Sequence, residues 1–156
     1  MRTVPLVSLL TLGLYHGLMS KAIHVDDNAS TDGDGTSWVT AYKYLQDAFA
    51  GVKSGDEIWV AEGTYNPDQG ADITTGDRTA SFNLVDGVGM YGGFLGLETV
   101  REPLGVGHKT ILSGKINNDS TLWSANVLRG VELDYDTKID GFVIANGNGS
   151  ALDKGG

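Results

Sequence analysis

The amino-acid sequence predicts an all-β fold, in which a right-handed parallel β-helix (solenoid) follows one amphipathic helix. Three observations lead to this prediction. Most of the chain consists of short runs of β-forming residues that end in Gly, Asn-Gly or Asp-Gly, and its 23 glycines are roughly twice the average share. The polar segments between these runs differ in length. One stretch near the start has helical periodicity instead.

Such strands fit two architectures. A sandwich would join antiparallel strands by hairpins, whereas a β-helix stacks each strand on its equivalent one turn later. Unequal loops suit a solenoid because each loop projects sideways from a constant core. The similar strand endings "ILSG", "VLRG" and "VIANG" point the same way. The pattern therefore favours the β-helix and leaves the sandwich open.

Charge and cysteine content restrict the partners and the compartment. The 156 residues include 11 Lys and Arg against 20 Asp and Glu, for a formal net charge of -9. A nucleic-acid partner is not expected, because phosphate binding needs a basic surface. There is no cysteine, so stability has to come from packing and backbone hydrogen bonds without disulfides.

Residues 1–22 have the pattern of a secretory signal peptide. A positive residue, Arg2, precedes a long apolar run, and the small residues Ser20 and Ala22 follow it in an A-x-A-like order. A transmembrane anchor is the alternative, but the run is short and no charged stop-transfer cluster follows. The sequence predicts cleavage after Ala22, which leaves residues 23–156 with no membrane span.

The mature chain begins with a short predicted strand, "IHV", followed by the acidic stretch "DDNASTDGDGTSW". Calcium binds six to eight oxygens, and an EF-hand loop needs Gly at the sixth and Glu at the twelfth position. Neither register of this stretch supplies both: the one from Asp32 has Ser37 and Lys43 there, and the one from Asn28 has Gly33 but Val39. A different calcium site formed by Asp27, Asp32 and Asp34 remains a candidate. The alternative is a hydrated turn rich in Asp and Gly. No other cofactor is expected.

Residues 38–52 predict an amphipathic helix. Its apolar residues recur at spacings of three and one, which places them on one face. Thr36 and Ser37 are suitable N-cap residues, and Gly51 or Gly55 can end the helix. The face consists of Trp38, Ala41, Tyr42, Leu45, Ala48, Phe49 and Val52.

Beyond the helix the period changes to two, which predicts strands. In "DEIWVAEGTY" the side chains of Ile58 and Val60 alternate with Trp59, so Trp59 should point away from the other two. Further strands are expected in "ASFNLVDGVGMYGGF", with a turn at Asp86-Gly87, and in "KTILSG", "ANVLRG" and "KIDGFVIANG". Residues 66–78, 96–108 and 115–123 are the polar segments between them.

The segment "DGDGTSWVTAYKYLQDAFAGVKSGDEIWVAEGTY" resembles the opening of bacterial pectin-lyase-like right-handed β-helix proteins, a group that includes extracellular and polymorphic-outer-membrane-like proteins. The segments "DRTASFNLVDGVGMYGGFLGLET", "TILSGKI" and "IDGFVIANGNG" are similar to later coils of that group. The resemblance runs from about residue 23 to residue 149. It implies that the helix caps the open end of the solenoid, where unpaired edges would otherwise invite aggregation. An ordinary helix packed on a sheet is the alternative.

The resemblance also implies a compartment and a role. It implies a secreted or cell-surface (outer-membrane) bacterial scaffold for adhesion or glycan binding without catalysis, and an incomplete β-helix domain at the C-terminal end. The alternative is a fragment of a polysaccharide lyase or glycoside hydrolase whose catalytic coils lie beyond residue 156. Fold does not fix function, so the choice depends on sites.

Two groups of residues are candidates for carbohydrate chemistry, although neither is assigned as catalytic. Enzymes of this fold use clustered carboxylates, and "DYDTKID" places Asp134, Asp136, Lys138 and Asp140 at alternate positions. A solvated loop explains these charges equally. Stacking of sugar rings on aromatic residues would involve Trp59, Tyr65 and Trp123. Packing of Trp59 beneath the loop of residues 66–78 is the competing interpretation.

Overall fold

The computed structural model describes residues 20–101, 107–124, 127–130, 133 and 136–147. In these residues it has one α-helix, one 3-10 helix and eleven short strands. The helices are the 3-10 helix Trp38–Thr40 and α1 Leu45–Gly51. The strands are β1 Ala22–Val25, β2 Glu57–Ala61, β3 Gly63–Tyr65, β4 Phe82–Asn83, β5 Gly89–Phe94, β6 Thr110–Ser113, β7 Lys115–Ile116, β8 Asp119–Trp123, β9 Leu128–Arg129, β10 Lys138–Asp140 and β11 Phe142–Ala145.

These strands form four separate sheets. The largest has the order β1-β2-β5-β10, a second has the order β11-β6-β3, and β4-β9 and β7-β8 are two-stranded. All pairs are parallel except β7 with β8. Most pairs thus join strands that are distant in the sequence, as βαβ-like or coil-like connections do and simple hairpins do not.

The β-helix prediction is wrong for the described residues. They form several small sheets in which no closed solenoid is found, and the presence of an α-helix means that the fold is not clearly all-β. The sequence pattern misled because alternation and turn residues report where a strand lies and which side it buries. They do not report which strands pair or whether successive sheets close into a coil.

The predicted helix of residues 38–52 and its role as an end cap are also corrected. Ala41 and Tyr44 are extended, with ψ of 147° and 134°, and they separate the 3-10 helix from α1. Tyr42 instead forms a parallel bridge with Val25 and extends the β1 edge of the sheet. Helix α1 packs on strands β1 and β4, and nothing shows that it closes a solenoid. The helical spacing of apolar residues therefore spans three consecutive structures, which are a 3-10 helix, an extended segment and α1.

In the four-stranded sheet β1-β2-β5-β10, which we call the central sheet, strands β2 and β5 are buried on both faces. Along β2, Ile58 and Val60 belong to the main core with Met90, whereas Trp59 belongs to a second cluster with Tyr91 and other aromatic residues. The parity predicted for Trp59 is confirmed. In-register parallel pairing aligns like residues across strands, with Ile58 opposite Met90 and Trp59 opposite Tyr91. The main core packs on one face of these strands and the aromatic cluster packs on the other.

The first strand begins where the predicted signal peptide ends. Ala22 pairs with Glu57, and the backbone N–H of Glu57 donates to the carbonyl oxygen of Lys21 at 2.9 Å. The backbone N–H of Lys21 donates to the Asp56 carboxylate at 3.2 Å. Residues 1–19 lie outside the described residues, so the signal peptide stays a prediction. Within the described part of the chain no helix is long and apolar enough to cross a membrane.

The antiparallel pair β7–β8 lies in a segment that the sequence predicts only as polar. Its turn consists of Asn117 and Asn118, both left-handed, with φ of 53° and 54°. Two successive left-handed residues are typical of a two-residue hairpin turn, and Asn accepts that conformation better than most residues. The Asn-Asn pair was therefore the signal for a hairpin between residues 115 and 123.

Candidate functional site

The predicted calcium residues do not come together in the structure. Asp27 turns to β3, where its carboxylate accepts the backbone N–H of Thr64 at 3.1 Å. Asp34 accepts the backbone N–H and the hydroxyl of Thr36 at 3.0 and 2.8 Å. Among the described residues no group of three or more His, Asp or Glu side chains is arranged to hold a metal. The acidic stretch, including Asp32, acts here as a turn.

The Asp34 arrangement recurs twice. Asp77 and Asp119 each accept the backbone N–H and the hydroxyl of the threonine two residues later, all at 2.7 Å. These bonds lower the pKa of both carboxyl groups, chiefly through the threonine hydroxyl. In Asp34 the largest cause is the Thr36 backbone N–H, and the pKa is lowered to about 2. These aspartates, of which the sequence suggested Asp34 as a calcium ligand, thus stabilise local turns.

Burial excludes two of the three predicted stacking residues from an open binding face. Trp59 is 8% exposed and stacks on Phe94, with ring centroids 5.0 Å apart and planes 6° apart. Tyr65 is 3% exposed, and its hydroxyl donates to the carbonyl oxygen of Ala61 at 3.1 Å. Trp123 is half-buried at the end of β8. Trp59 packs within the aromatic cluster, and so neither sugar stacking nor packing beneath the loop of residues 66–78 describes it.

The carboxylate cluster predicted near the C-terminal end is described only in part. Asp134 lies outside the described residues. Asp136 is left-handed, with φ of 76°, in a turn, and Lys138 and Asp140 are exposed on β10. Strand alternation places Lys138 and Asp140 on one side, as predicted. Both lie on the edge strand of the central sheet and border none of the clefts described below.

A polar concavity surrounds Tyr44, and we call it the Tyr44 cleft. Its larger part encloses about 300 Å³ and a neighbouring part about 230 Å³. The first volume is at the lower end of the roughly 300–1,000 Å³ typical of small-molecule sites. Tyr44, Gln69 and Asn118 line both parts, so the two parts share a wall. The remaining lining residues are Asp27, Lys43, Thr64, Tyr65, Asn66, Gly70, Thr75 and Asn117.

One wall of the Tyr44 cleft is held rigidly by hydrogen bonds. The Lys43 ammonium donates to the carbonyl oxygens of Asp27 and Ala29 at 2.8 and 3.3 Å. The backbone N–H of Asp27 donates to the Tyr65 hydroxyl at 3.2 Å. Burial, and then the Asp27 charge, raise the pKa of the Tyr65 phenol well above its ordinary value. Tyr65 is therefore a neutral hydroxyl at physiological pH and fixes the position of Asp27.

Close approach of β3 to Asp27 depends on a glycine. Gly63 has φ of 156°, and a Cβ there would meet the Asp27 carboxylate at 2.4–2.8 Å. A larger residue would push the carboxylate away from the Thr64 N–H. Gly63 thus sets the position of the Asp27 carboxylate at the cleft.

The opposite wall comes from the β7–β8 turn and the loop that follows β3. The Asn66 amide nitrogen donates to the Asn118 side-chain oxygen at 3.1 Å. The backbone N–H of Asn117 donates to Asp68 at 2.7 Å. Two asparagines and a buried aspartate therefore join two segments that are about fifty residues apart. Sequence reasoning missed this wall because it treated both segments as polar loops.

A second cleft, of about 230 Å³, lies beside the start of β4. It contains two carboxylates, Asp72 and Asp77, and the guanidinium of Arg129. Gln46 of α1 braces it by donating to the carbonyl oxygens of Pro67 and Ser81 at 2.6 and 3.1 Å. Because Thr79 lowers the pKa of Asp77, that carboxylate is ionised at neutral pH.

Comparison with known proteins adds no function to this geometry. No family model, no curated protein and no solved structure matches the chain.

Proposed function

We propose that this chain is an exported bacterial protein, secreted or held at the cell surface, that binds carbohydrate in the Tyr44 cleft without transforming it. The single observation that carries the proposal is the lining of that cleft. Carboxylate, ammonium, amide and hydroxyl groups converge there around one half-buried aromatic ring. Sugars present the complementary surface, with hydroxyl groups around the ring edge and C–H groups on the ring face.

Preorganisation supports binding. Asp27 and Lys43 are already held by hydrogen bonds to the protein backbone, and the buried Tyr65 hydroxyl fixes the Asp27 backbone. A ligand that meets fixed partners loses less free energy to the ordering of side chains. The tyrosine ring contributes apolar contact with little loss of conformational entropy, since it has only two side-chain torsions.

Screening of purified protein against immobilised bacterial and plant polysaccharides tests the proposal. We expect a subset to bind, and we expect Tyr44→Ala and Gln69→Ala to weaken binding by roughly tenfold each, or about 1.4 kcal/mol. Thr36→Ala, at a residue that lines neither cleft, is the control and should bind as the parent does. Absence of binding to every polysaccharide, or equal binding by all variants, would refute the Tyr44 cleft as the site.

Export is tested separately. Residues 1–22 fused to a reporter that is active only outside the cytoplasm should direct it there, and replacement of the apolar run of residues 4–19 by polar residues should abolish this. The absence of cysteine fits an exported chain that does not depend on disulfide formation.

Polysaccharide cleavage is the second candidate function, and the second cleft is what favours it. That cleft combines two carboxylates with a basic residue, the types of group that glycoside-cleaving sites use. Incubation with the polysaccharides that bind, followed by assays for reducing ends and unsaturated products, distinguishes the two functions. Turnover that is lost in Asp72→Asn, with binding retained, would favour catalysis over binding alone.

A further inference from the structure

Two buried side-chain oxygens in the loop after β3 have no hydrogen-bond partner among the described residues. They are Oδ1 of Asn66 and Oδ1 of Asp68, in side chains that are 5% and 0% exposed. A buried oxygen without a partner costs about 1–3 kcal/mol, and more in a charged group. Buried polar atoms in native proteins nearly always have a partner, and so these two need one.

The Asp68 carboxylate has no counter-ion among the described residues. Its other oxygen, Oδ2, accepts the backbone N–H groups of Gly76 and Asn117 at 3.0 and 2.7 Å. Among described side chains the only ion pairs are Arg101 with Glu57 and His108 with Glu62. Two backbone N–H groups thus converge on one carboxylate oxygen and leave the other oxygen without a donor. A buried unpaired charge is costly, and a cation would remove that cost.

The spacing and the anchoring of the two residues are compatible with an oxygen-lined site. Asn66 and Asp68 occupy alternate positions, the spacing at which calcium loops place their first ligands. The β7–β8 turn holds both residues, through the Asn66–Asn118 side-chain bond and the Asn117 N–H. Their free oxygens are one carbonyl and one carboxylate, both of which calcium accepts, and no nitrogen or sulfur is involved.

We propose that Asn66 Oδ1 and Asp68 Oδ1 bind one calcium ion beneath the β7–β8 turn, with further oxygens from the backbone and from water. This site differs from the predicted one at Asp27, Asp32 and Asp34. One carboxylate among the ligands predicts weak affinity, with a Kd of about 10⁻⁴–10⁻³ M, as in extracellular calcium modules. The calcium proposal does not rest on carbohydrate binding, although Asn66 also borders the Tyr44 cleft.

Calcium titration of the full chain tests the site. In 10 mM CaCl₂, compared with NaCl of equal ionic strength, we expect Tm to rise by a few degrees. Asp68→Asn should abolish that rise, and Asn66→Ala, which removes the other proposed ligand oxygen, should reduce it. Asp77→Asn is the matched control, because it removes one carboxylate from the same loop and should leave the calcium response intact.

Each outcome decides the proposal. If calcium has no effect on the parent, a buried water or a proton on Asp68 satisfies the two oxygens and the proposal is wrong. If the calcium response survives in Asp68→Asn, calcium binds elsewhere. Should Asp68→Asn fail to fold, Asn66→Ala decides, because it removes one proposed ligand oxygen and keeps the Asp68 carboxylate. A rise in Tm with calcium that is unchanged in Asn66→Ala would show that calcium binds elsewhere. Failure to bind any polysaccharide leaves these measurements unaffected.

Discussion

The hydroxyl of Thr110, a residue of the β11-β6-β3 sheet, makes hydrogen bonds to Gly93 and Ala61 in the central sheet. It accepts the backbone N–H of Gly93 at 2.7 Å and donates to the carbonyl oxygen of Ala61 at 3.0 Å. Thr110 is fully buried at the start of β6, whereas Gly93 and Ala61 belong to β5 and β2. One side chain thus connects the central sheet to the β11-β6-β3 sheet.

The first prediction follows from that contact. Thr110→Val has nearly the same shape but leaves the Gly93 N–H without its partner, so the free energy of unfolding should fall by about 1–3 kcal/mol. Thr110→Ser keeps the hydroxyl and should lose less, because only a methyl group is removed. Urea unfolding at neutral pH measures both. Equal losses in the two variants would show that the hydroxyl bonds contribute little.

The second prediction concerns pH. The pKa of Asp34 is lowered from 3.8 to about 2, so its ionised form is stabilised by folding. This contribution is present above the unfolded value and is lost as pH falls from about 4 to about 2. The Tm difference between the parent and Asp34→Asn should therefore be positive at pH 6 and shrink across that window.

Carboxyl NMR titration measures the same effect directly. Thr36→Val removes one hydroxyl donor and should raise the pKa of Asp34 toward its ordinary value, since that hydrogen bond favours the ionised form. Thr79→Val acts on Asp77 and should leave the Asp34 titration unchanged. A midpoint for Asp34 near 3.8 in the parent would contradict the bonds to Thr36.

The third prediction concerns the aromatic cluster. Trp59→Ala should destabilise the protein by about 3–5 kcal/mol, because a buried ring and its stacking on Phe94 are lost. The indole N–H of Trp59 also donates to the Glu57 carboxylate at 2.7 Å. Trp123→Ala is the matched control and should cost less, since Trp123 is only half-buried. Chemical unfolding compares the two, and a larger loss from Trp123→Ala would count against this packing.

The fourth prediction concerns the hairpin turn. Asn117→Val places a β-branched residue at φ of 53° and should cost about 1–2 kcal/mol. Asn117→Gly accepts that conformation without strain and keeps the backbone N–H that bonds to Asp68, so stability should be nearly unchanged. Thermal melts of both variants test this. Equal stability of the two variants would mean that residue 117 does not adopt a left-handed conformation.

The fifth prediction concerns the outer edge of β11. Val143 and Ile144 are 44% and 56% exposed, and among the described strands β11 pairs only with β6. An exposed apolar edge strand is a template for self-association. The sedimentation coefficient should rise with protein concentration, and Ile144→Lys should suppress that rise. Leu97→Lys, which replaces an exposed leucine away from any strand, should not.

The sequence predicted strand positions far better than strand pairing. Alternation placed Ile58 and Trp59 on opposite faces, because the period of a strand is a local property. Pairing of β4 with β9 depends on contacts between residues 82 and 128, which no local pattern reports. The helix prediction failed for a related reason, since the extended conformation of Tyr42 follows from its bridge to Val25. Tertiary contacts override local periodicity there.

The two candidate sites were missed for a different reason. The Tyr44 cleft and the Asp68 site both form where the loop after β3 meets the β7–β8 turn. Asn66 and Asn118 are 52 residues apart in sequence, and each alone is an ordinary turn residue. The acidic stretch near the start, with more carboxylates, was the stronger signal, but threonine and backbone donors already occupy Asp34 and Asp27.

If residues 1–22 are a cleaved signal peptide, the position of β1 sets an order for cleavage and folding. Signal cleavage is predicted after Ala22, yet in the folded chain Ala22 is paired with Glu57, and the carbonyl oxygen of Lys21 accepts from β2. A peptidase that binds an extended chain competes for those same backbone groups. Cleavage at this bond would therefore have to precede the docking of β1 on β2. After such cleavage, the chain would begin at Ile23, and this residue would be the first of β1.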